Sequence, residues 1–512
     1  MYSSPGVLAV CHAPPFKGFA MTSAPEANTS LGRLAGAVEH SVCVFRGVPY
    51  AQAPVGALRF APPQAMAPWS GVRDASHNGP IPPQPPSRLR AAMGDFDEPQ
   101  GEDCLTLTIA TPAADGARRP VLLWLHGGAF WTGAGSLDWY SGVPMAQHND
   151  MVVVGVNHRL GALGFMHLPG VSPPNLGLMD QCAALEWVAR EIAAFGGDPD
   201  NITVAGQSAG GLSILAMLAM PQVRQHFRRC VIQSAPFGRT LRDMPAAERI
   251  ALSVQKHLGI TDAAQWRDAS VQDIGQAQVK AARELAAFAN TTPPFIPVID
   301  HQWLGDETIA AATAGAADKD VMVGYTRHEM AAFFANDEAI QNATSAQVRA
   351  VFATKFGAAA DEAVAEYQQR AGSDHAAQVL GCMLGDASFG TGVYQFAERL
   401  HATGRGAWVY RFDWTAPGNR FGACHCIELP FMFDTLTHWQ APMLEGADAN
   451  EKSTVAATVR NTWAAFARHG DPNHTDLPHW PRHAAKGETL LINHPSSVHN
   501  DPAGRQRWKY WP

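Results

Sequence analysis

Six residues, Gly206-Gln207-Ser208-Ala209-Gly210-Gly211, combine a nucleophile with the space it needs. They follow a β-branched run, Ile202-Thr203-Val204-Ala205, and precede a helix-like stretch from Leu212 to Met220. A strand, a sharp glycine-flanked turn holding a serine and then a helix is the arrangement that exposes a serine hydroxyl for attack on an acyl carbon. Such a turn is strained, and Gly206 and Gly210 leave room for it. A helix starting at Ala209 aims free N–H groups and the positive end of its dipole at any oxyanion formed beside Ser208. A serine in this role also needs a base, an orienting acid and further oxyanion donors. His126-Gly127-Gly128-Ala129-Phe130 supplies donors: it follows a strongly apolar run, and its small residues let backbone N–H groups face a cavity. The expected oxyanion hole is therefore the N–H groups of Gly128, Ala129 and Ala209.

The elements that must position these groups are legible in the apolar pattern. Val121-Leu-Leu-Trp-Leu, Val152-Val-Val-Gly-Val, Ile202-Thr-Val-Ala, Val231-Ile-Gln and Val321-Met-Val are continuous rather than alternating, which suits a parallel sheet buried on both faces. Between them Asp180 to Phe195 has helical spacing and stops at Gly196-Gly197. Alanine-rich helical stretches span about 239–302 and 336–399 and read as insertions packed around the sheet. The spacing thus predicts an α/β fold: one domain over 25–512 with helical excursions, preceded by an extension over 1–24 whose true start is Met1 or Met21.

Composition excludes several other classes. Thirty-eight basic and 46 acidic side chains give a net charge of −8 with no basic cluster, which argues against nucleic acid as a partner. No apolar run approaches the ~20 residues of a membrane span, and the N-terminus lacks the pattern of a signal peptide. The eight cysteines show no metal-binding spacing, so no metal or cofactor site is expected, and several sit in apolar surroundings as buried thiols. The expected setting is reducing and cytoplasmic.

Many ordered segments resemble the type-B carboxylesterases, the family of the cholinesterases and bacterial para-nitrobenzyl esterases. Phe45-Arg-Gly-Val-Pro-Tyr-Ala51, Pro54-Val-Gly56 and Leu58-Arg-Phe60 are similar to its N-terminal signature, and Glu102-Asp-Cys-Leu105 to its second. Asn157-His-Arg-Leu-Gly161, Asn175-Leu-Gly-Leu-Met-Asp-Gln181 and Phe195-Gly-Gly-Asp-Pro199 follow in the family's order, so that the likeness runs from about Gly32 to Asp501. It implies an α/β-hydrolase fold, a large mostly parallel sheet flanked by helices, with helical insertions around an active-site gorge. It also implies the remaining triad members: Glu329, within Gly324-Tyr-Thr-Arg-His-Glu329, and His425, within Gly422-Ala-Cys-His-Cys-Ile-Glu428-Leu-Pro430. The order Ser208, Glu329, His425 agrees with the nucleophile–acid–base order of that fold. His328 and Glu428 are the rivals for base and acid; both are read as structural. The pairs Arg59 with Glu102 and Arg159 with Asp180 resemble ion pairs that brace the family fold.

Departures from the family shape the expected substrate. Cys104 lacks the upstream cysteine that secreted members pair with it. Gln207 stands where glutamate is commoner, beside the nucleophile. Around Gly94 to Phe96 there is no counterpart of the choline-binding tryptophan, and Thr291-Thr-Pro-Pro294 replaces bulky acyl-pocket phenylalanines. The resemblance then implies an esterase for uncharged esters of short to medium or aromatic acids, acting as a monomer or homodimer without cofactor, nucleic acid or membrane. Trp131, Phe237, Phe295, Phe333 and Phe431 are candidate walls of an aromatic gorge, core packing being the competing reading for each. Cys424 and Cys426 flank His425 and read as buried, inert thiols. Two other readings compete with the esterase: a catalytically silent, cholinesterase-like binding protein, and the same chemistry directed at amides, carbamates or carbonates.

Overall fold

The structure, a computed structural model, describes residues 24–504 and 509–511. The N-terminal extension, Ala24 aside, the start at Met21 and Cys11 lie outside the described residues. The main sheet comprises β1 (Ala37–Glu39), β2 (Val42–Pro49), β3 (Thr106–Thr111), β4 (Arg119–Leu125), β5 (Val152–Val156), β6 (Gly197–Gln207), β7 (Arg229–Gln233), β8 (Asp320–Thr326), β9 (Trp408–Phe412), β10 (Glu488–Ile492) and β11 (Ser497–Asn500). Their spatial order is β11-β10-β9-β8-β7-β6-β4-β5-β3-β2-β1. From β5 to β10 every neighbouring pair is parallel. The flanking pairs β1–β2, β2–β3, β3–β5 and β10–β11 are antiparallel.

The continuous apolar runs are explained by helices on both faces. Val121, Leu123 and Leu125 of β4 pack with Leu185 and Val188 of α1 (Leu176–Glu191) and with Leu212 and Leu215 of α2 (Ala209–Ala219). The alternate residues Leu122 and Trp124 join a second core on the opposite face. Each such side chain taken from water contributes about 1.5–3 kcal/mol, which is why both faces of these strands are predominantly apolar.

Helix α1 begins at Leu176, four residues before the helical spacing becomes readable, and a 3-10 turn over Ile192–Phe195 ends it at Gly196 (φ 77°). Its start is set by Asn175 in the left-handed region (φ 66°), whose side chain exchanges hydrogen bonds with the Val298 backbone at 2.8 and 2.9 Å. That anchor lies 123 residues away and leaves no local signal.

The first helical excursion is shorter than its alanine content suggests. It holds α3 (Met244–Leu258), α4 (Ala263–Asp268) and α5 (Val271–Glu284), but beyond Glu284 the chain is irregular up to the two-residue strand Val298–Ile299. Pro293 and Pro294 lack the N–H groups a helix requires there. The second excursion is helical in α6 (Ser345–Phe356), α7 (Ala360–Ala371), α8 (Ala376–Gly385) and α9 (Thr391–Ala402). The last long helix, α10 (Ala449–His469), sends Trp463 and Phe466 into the second core.

Arg159 and Asp180 are buried and joined by three hydrogen bonds, one from the Arg159 backbone N–H at 3.1 Å and two from its guanidinium at 2.8 and 2.6 Å, while Arg159 also donates to Arg59 O and Ala61 O. Arg59 forks onto Glu102 at 2.6 and 2.7 Å. All described cysteines are free thiols, Cys104 among them, and all but Cys382 are buried. Among the described residues no helix is long and apolar enough to cross a membrane.

Candidate active site

Strand β6 and helix α2 meet at Ser208, whose φ of 54° and ψ of −113° depart from ordinary strand or helix geometry. The turn is held because Ser208 N–H donates to Gln233 O at the end of β7, at 2.8 Å. It is possible only with glycine on either side. A Cβ on Gly210 would lie 2.0 Å from Leu125 O, and one on Gly206 would lie 2.7 Å from the Gly210 carbonyl carbon. The first turn of α2 therefore presses directly on the end of β4, and the Ser208 side chain remains partly exposed.

The loop leaving β4 turns as tightly. Gly128 (φ 109°) could carry no Cβ, which would meet Thr132 O at 1.9 Å, and Ala129 and Phe130 both have positive φ. Trp131 and Thr132 return their N–H groups to Gly128 O at 3.0 Å. Gly128 and Ala129 give their own N–H groups to no protein acceptor, and Ala209 opens α2, where an N–H has no intrahelical partner. His126 is buried and stacks on His158 with ring centroids 4.8 Å apart. Burial drives the two imidazoles down to about 3 and about 4, with repulsion between them lowering His126 further, so the loop is uncharged at neutral pH.

Glu329 lies just beyond β8. One carboxylate oxygen accepts the Thr326 N–H at 2.9 Å, and the other makes a short contact with Nδ1 of His425. Both side chains are buried. Their two segments are fastened together next to this contact. His328 N–H donates to Ala423 O at 2.9 Å, and Ala423 N–H donates to His328 Nδ1 at 3.1 Å. His328 is thus a structural fastener, with its imidazole lowered to about 4 chiefly by burial. Glu428 faces away: its partner is Gln233 Nε2 at 3.5 Å, and burial, reinforced by the charge of Glu329, pushes its carboxyl up to about 8.

Ser208 and His425 line one cavity together with Gly127, Gly128 and Ala129. Their side chains are not hydrogen-bonded to each other. Nε2 of His425 instead faces the carboxamide nitrogen of Gln207 at 3.1 Å. With the Nδ1 proton directed at Glu329, Nε2 carries a lone pair that the Gln207 N–H satisfies. Gln207 Oε1 has no partner and occupies the space a Cβ on Gly127 would need, 2.3 Å away. The sequence places Gln207 beside the nucleophile; its contact with the imidazole is beyond what spacing can tell.

Of the aromatic residues expected along the cavity, Trp131 and Phe333 line it, Phe333 with its ring 5.3 Å from that of His425. The other three are core residues. Phe295 stacks behind Trp131 at 5.7 Å, Phe237 packs on Phe396, and Phe431 is sealed between Phe412 and Trp414. The rest of the wall includes Arg88, Leu89, Met93, Phe96 and Tyr140, which the sequence motifs do not mark. Phe96 belongs to the stretch that lacks a tryptophan. The Cys424 and Cys426 thiols are buried and shifted upward, with desolvation the main cause.

Residues 23–511 match the carboxylesterase family. A phenmedipham hydrolase of Pseudarthrobacter oxydans is 37% identical over 478 residues, covering 92% of this chain and 95% of the relative. A para-nitrobenzyl esterase of Bacillus subtilis is 34% identical over 497 residues, covering 94% and 98%. The crystal structure of a Geobacillus stearothermophilus carboxylesterase superposes with a TM-score of 0.85 at 34% identity, over 95% of this chain and 99% of that one. A nearly full-length family match, relatives of this similarity and an α/β-hydrolase architecture agree: the chain belongs to the carboxylesterase family and is a carboxylic ester hydrolase.

Proposed function

We propose that Ser208 is the nucleophile, His425 its general base and Glu329 the acid that orients and stabilises the imidazolium. Ser208 Oγ displaces the Gln207 amide at Nε2 of His425, gives up its proton there and attacks the ester carbonyl. The N–H groups of Gly128, Ala129 and Ala209 receive the oxyanion, where losing one such donor typically costs about 10²–10³ in turnover. The imidazolium protonates the leaving alcohol, and water activated by the same ring then releases the acid. The observation that carries this reading is the buried contact between Glu329 and His425 directly behind the cavity that Ser208 opens into. The described cysteines, all unbridged, fit a cytoplasmic location.

Ser208→Ala should reduce turnover of para-nitrophenyl butyrate by roughly 10⁴-fold or more with the fold intact. Retention of wild-type rates would refute the assignment. Running para-nitrophenyl acetate, butyrate and octanoate beside an anilide, a carbamate and a carbonate sorts the bond preference. A silent binding protein would turn over none of them.

A further inference from the structure

The cavity wall contains one charge that ester hydrolysis by the groups above does not use. Arg88 lines the cavity beside Ser208 and His425, and its guanidinium carbon sits 6.0 Å from the Phe333 ring, the same ring that packs on His425. Phe333 is thus the shared neighbour of this cation and the imidazole. Arg88 donates to Thr291 O at 3.1 Å, and Arg239 donates to Thr291 Oγ1 at 3.4 Å, so both guanidiniums converge on one residue. Arg242 stands next to them, fixed on the carbonyls of Pro294 and Pro293 at 3.1 and 2.9 Å.

Among the described residues no carboxylate pairs with any of the three. Some arginines, such as Arg468 and Arg224, likewise bond only to backbone carbonyls among the described residues, but others are paired with acids. Arg59, Arg159, Arg370 and Arg411 each fork onto an acidic side chain. Desolvation lowers Arg239 to about 10, and the charges of Arg88 and Arg242 add to the fall. Arg88 in the cavity wall, with Arg239 and Arg242 near it and none of the three paired with a described carboxylate, constitutes an electrostatic cost that an incoming anion removes. Arg242 is committed to backbone carbonyls. Arg88 and Arg239 each keep most of their N–H donors for a ligand, in the planar fork that matches a carboxylate. Arg88 is exposed and Arg239 half-buried.

Resting on the reading of Ser208 and His425 given above, we propose that Arg88, backed by Arg239, receives a free carboxylate on the substrate, so that the preferred esters are half-esters of dicarboxylic acids or esters of similarly acidic partners. The carboxylate then lies beside Phe333, in the same cavity as the scissile carbonyl. This reverses the expectation of an uncharged substrate.

The test compares kcat/KM for monoethyl adipate and for its neutral isostere, ethyl 5-carbamoylpentanoate, at 0.15 M salt. The wild-type enzyme should prefer the charged ester. Arg88→Gln and Arg239→Gln should each lower the ratio of charged- to neutral-ester kcat/KM by about tenfold, as expected for a hydrogen bond to a charged group. Arg88→Lys should keep part of it, and free adipate should inhibit the wild type competitively but not Arg88→Gln. The remote surface variant Arg349→Gln should leave the preference unchanged. Equal rates on the two esters in the wild type, or an equal fall on both in Arg88→Gln, would overturn the proposal. In that event, neutral-ester turnover that disappears in Ser208→Ala would leave the assignment of the nucleophile standing.

Discussion

Glu329→Gln separates the two carboxyl groups buried near His425. The substitution keeps the shape of the side chain, and its amide oxygen can still accept the Thr326 N–H that Oε1 accepts now at 2.9 Å. What it removes is the negative charge facing Nδ1. On the mechanism proposed above, the imidazole becomes cationic in the transition state. A unit charge about 4 Å away at an effective dielectric near 20 stabilises that cation by about 4 kcal/mol. At 1.36 kcal/mol per tenfold, the loss is roughly 10³ in kcat. The assay is steady-state hydrolysis of para-nitrophenyl butyrate from pH 6 to 9, with kcat falling far more than KM changes, because the interaction strengthens only as charge develops. Glu428→Gln serves as the internal control. Its carboxyl contacts Gln233 and is held protonated at neutral pH, so its replacement should leave kcat within a few fold. If Glu329→Gln kept more than a tenth of wild-type turnover, or Glu428→Gln lost as much as Glu329→Gln, the division of labour between the two acids would be wrong.

Two further outcomes follow from the packing. Gly210→Ala forces a methyl group to within 2.0 Å of Leu125 O, a backbone atom that cannot retreat without moving β4, so the unfolding midpoint should drop by an amount equivalent to about 3 kcal/mol or more, and turnover with it. An unchanged midpoint would show that α2 does not bear on β4 as described. Glu428 gives a pH signature: its folded carboxyl titrates near 8 against an ordinary value of 4.5. The unfolded chain releases this proton first, so its contribution to stability declines as pH rises from about 4.5 to 8 and is constant outside that window. Thermal melting of Glu428→Gln beside the wild type at pH 5 and pH 8 should show the variant losing less stability over the interval, and parallel losses would refute the shift.

The parts of the fold legible in the sequence are those whose causes are local. Five apolar runs announce strands because each is buried on both faces, and Gly196 marks the end of its helix through its own backbone conformation. Gly206 and Gly210 are legible because they flank a serine in a known pattern, although the atom that forbids a Cβ on Gly210, Leu125 O, is distant in sequence. Features set by distant partners are silent. Asn175 starts a helix on account of Val298. The cavity wall is the least readable part. Phe333 and Phe431 look alike as letters, yet one is beside His425 and the other is sealed between Phe412 and Trp414. Arg88, in a proline-rich stretch without periodicity, gains its meaning only from where Thr291 and Phe333 lie.

The paired hydrogen bonds between His328 and Ala423 have an architectural consequence. Ninety-odd residues of chain depart from this rivet and come back to it, and the four helices α6 to α9 lie within that detour. Because the seam is closed at its base, changes confined to the turns joining α6, α7 and α8 leave both ends of the Glu329–His425 contact anchored.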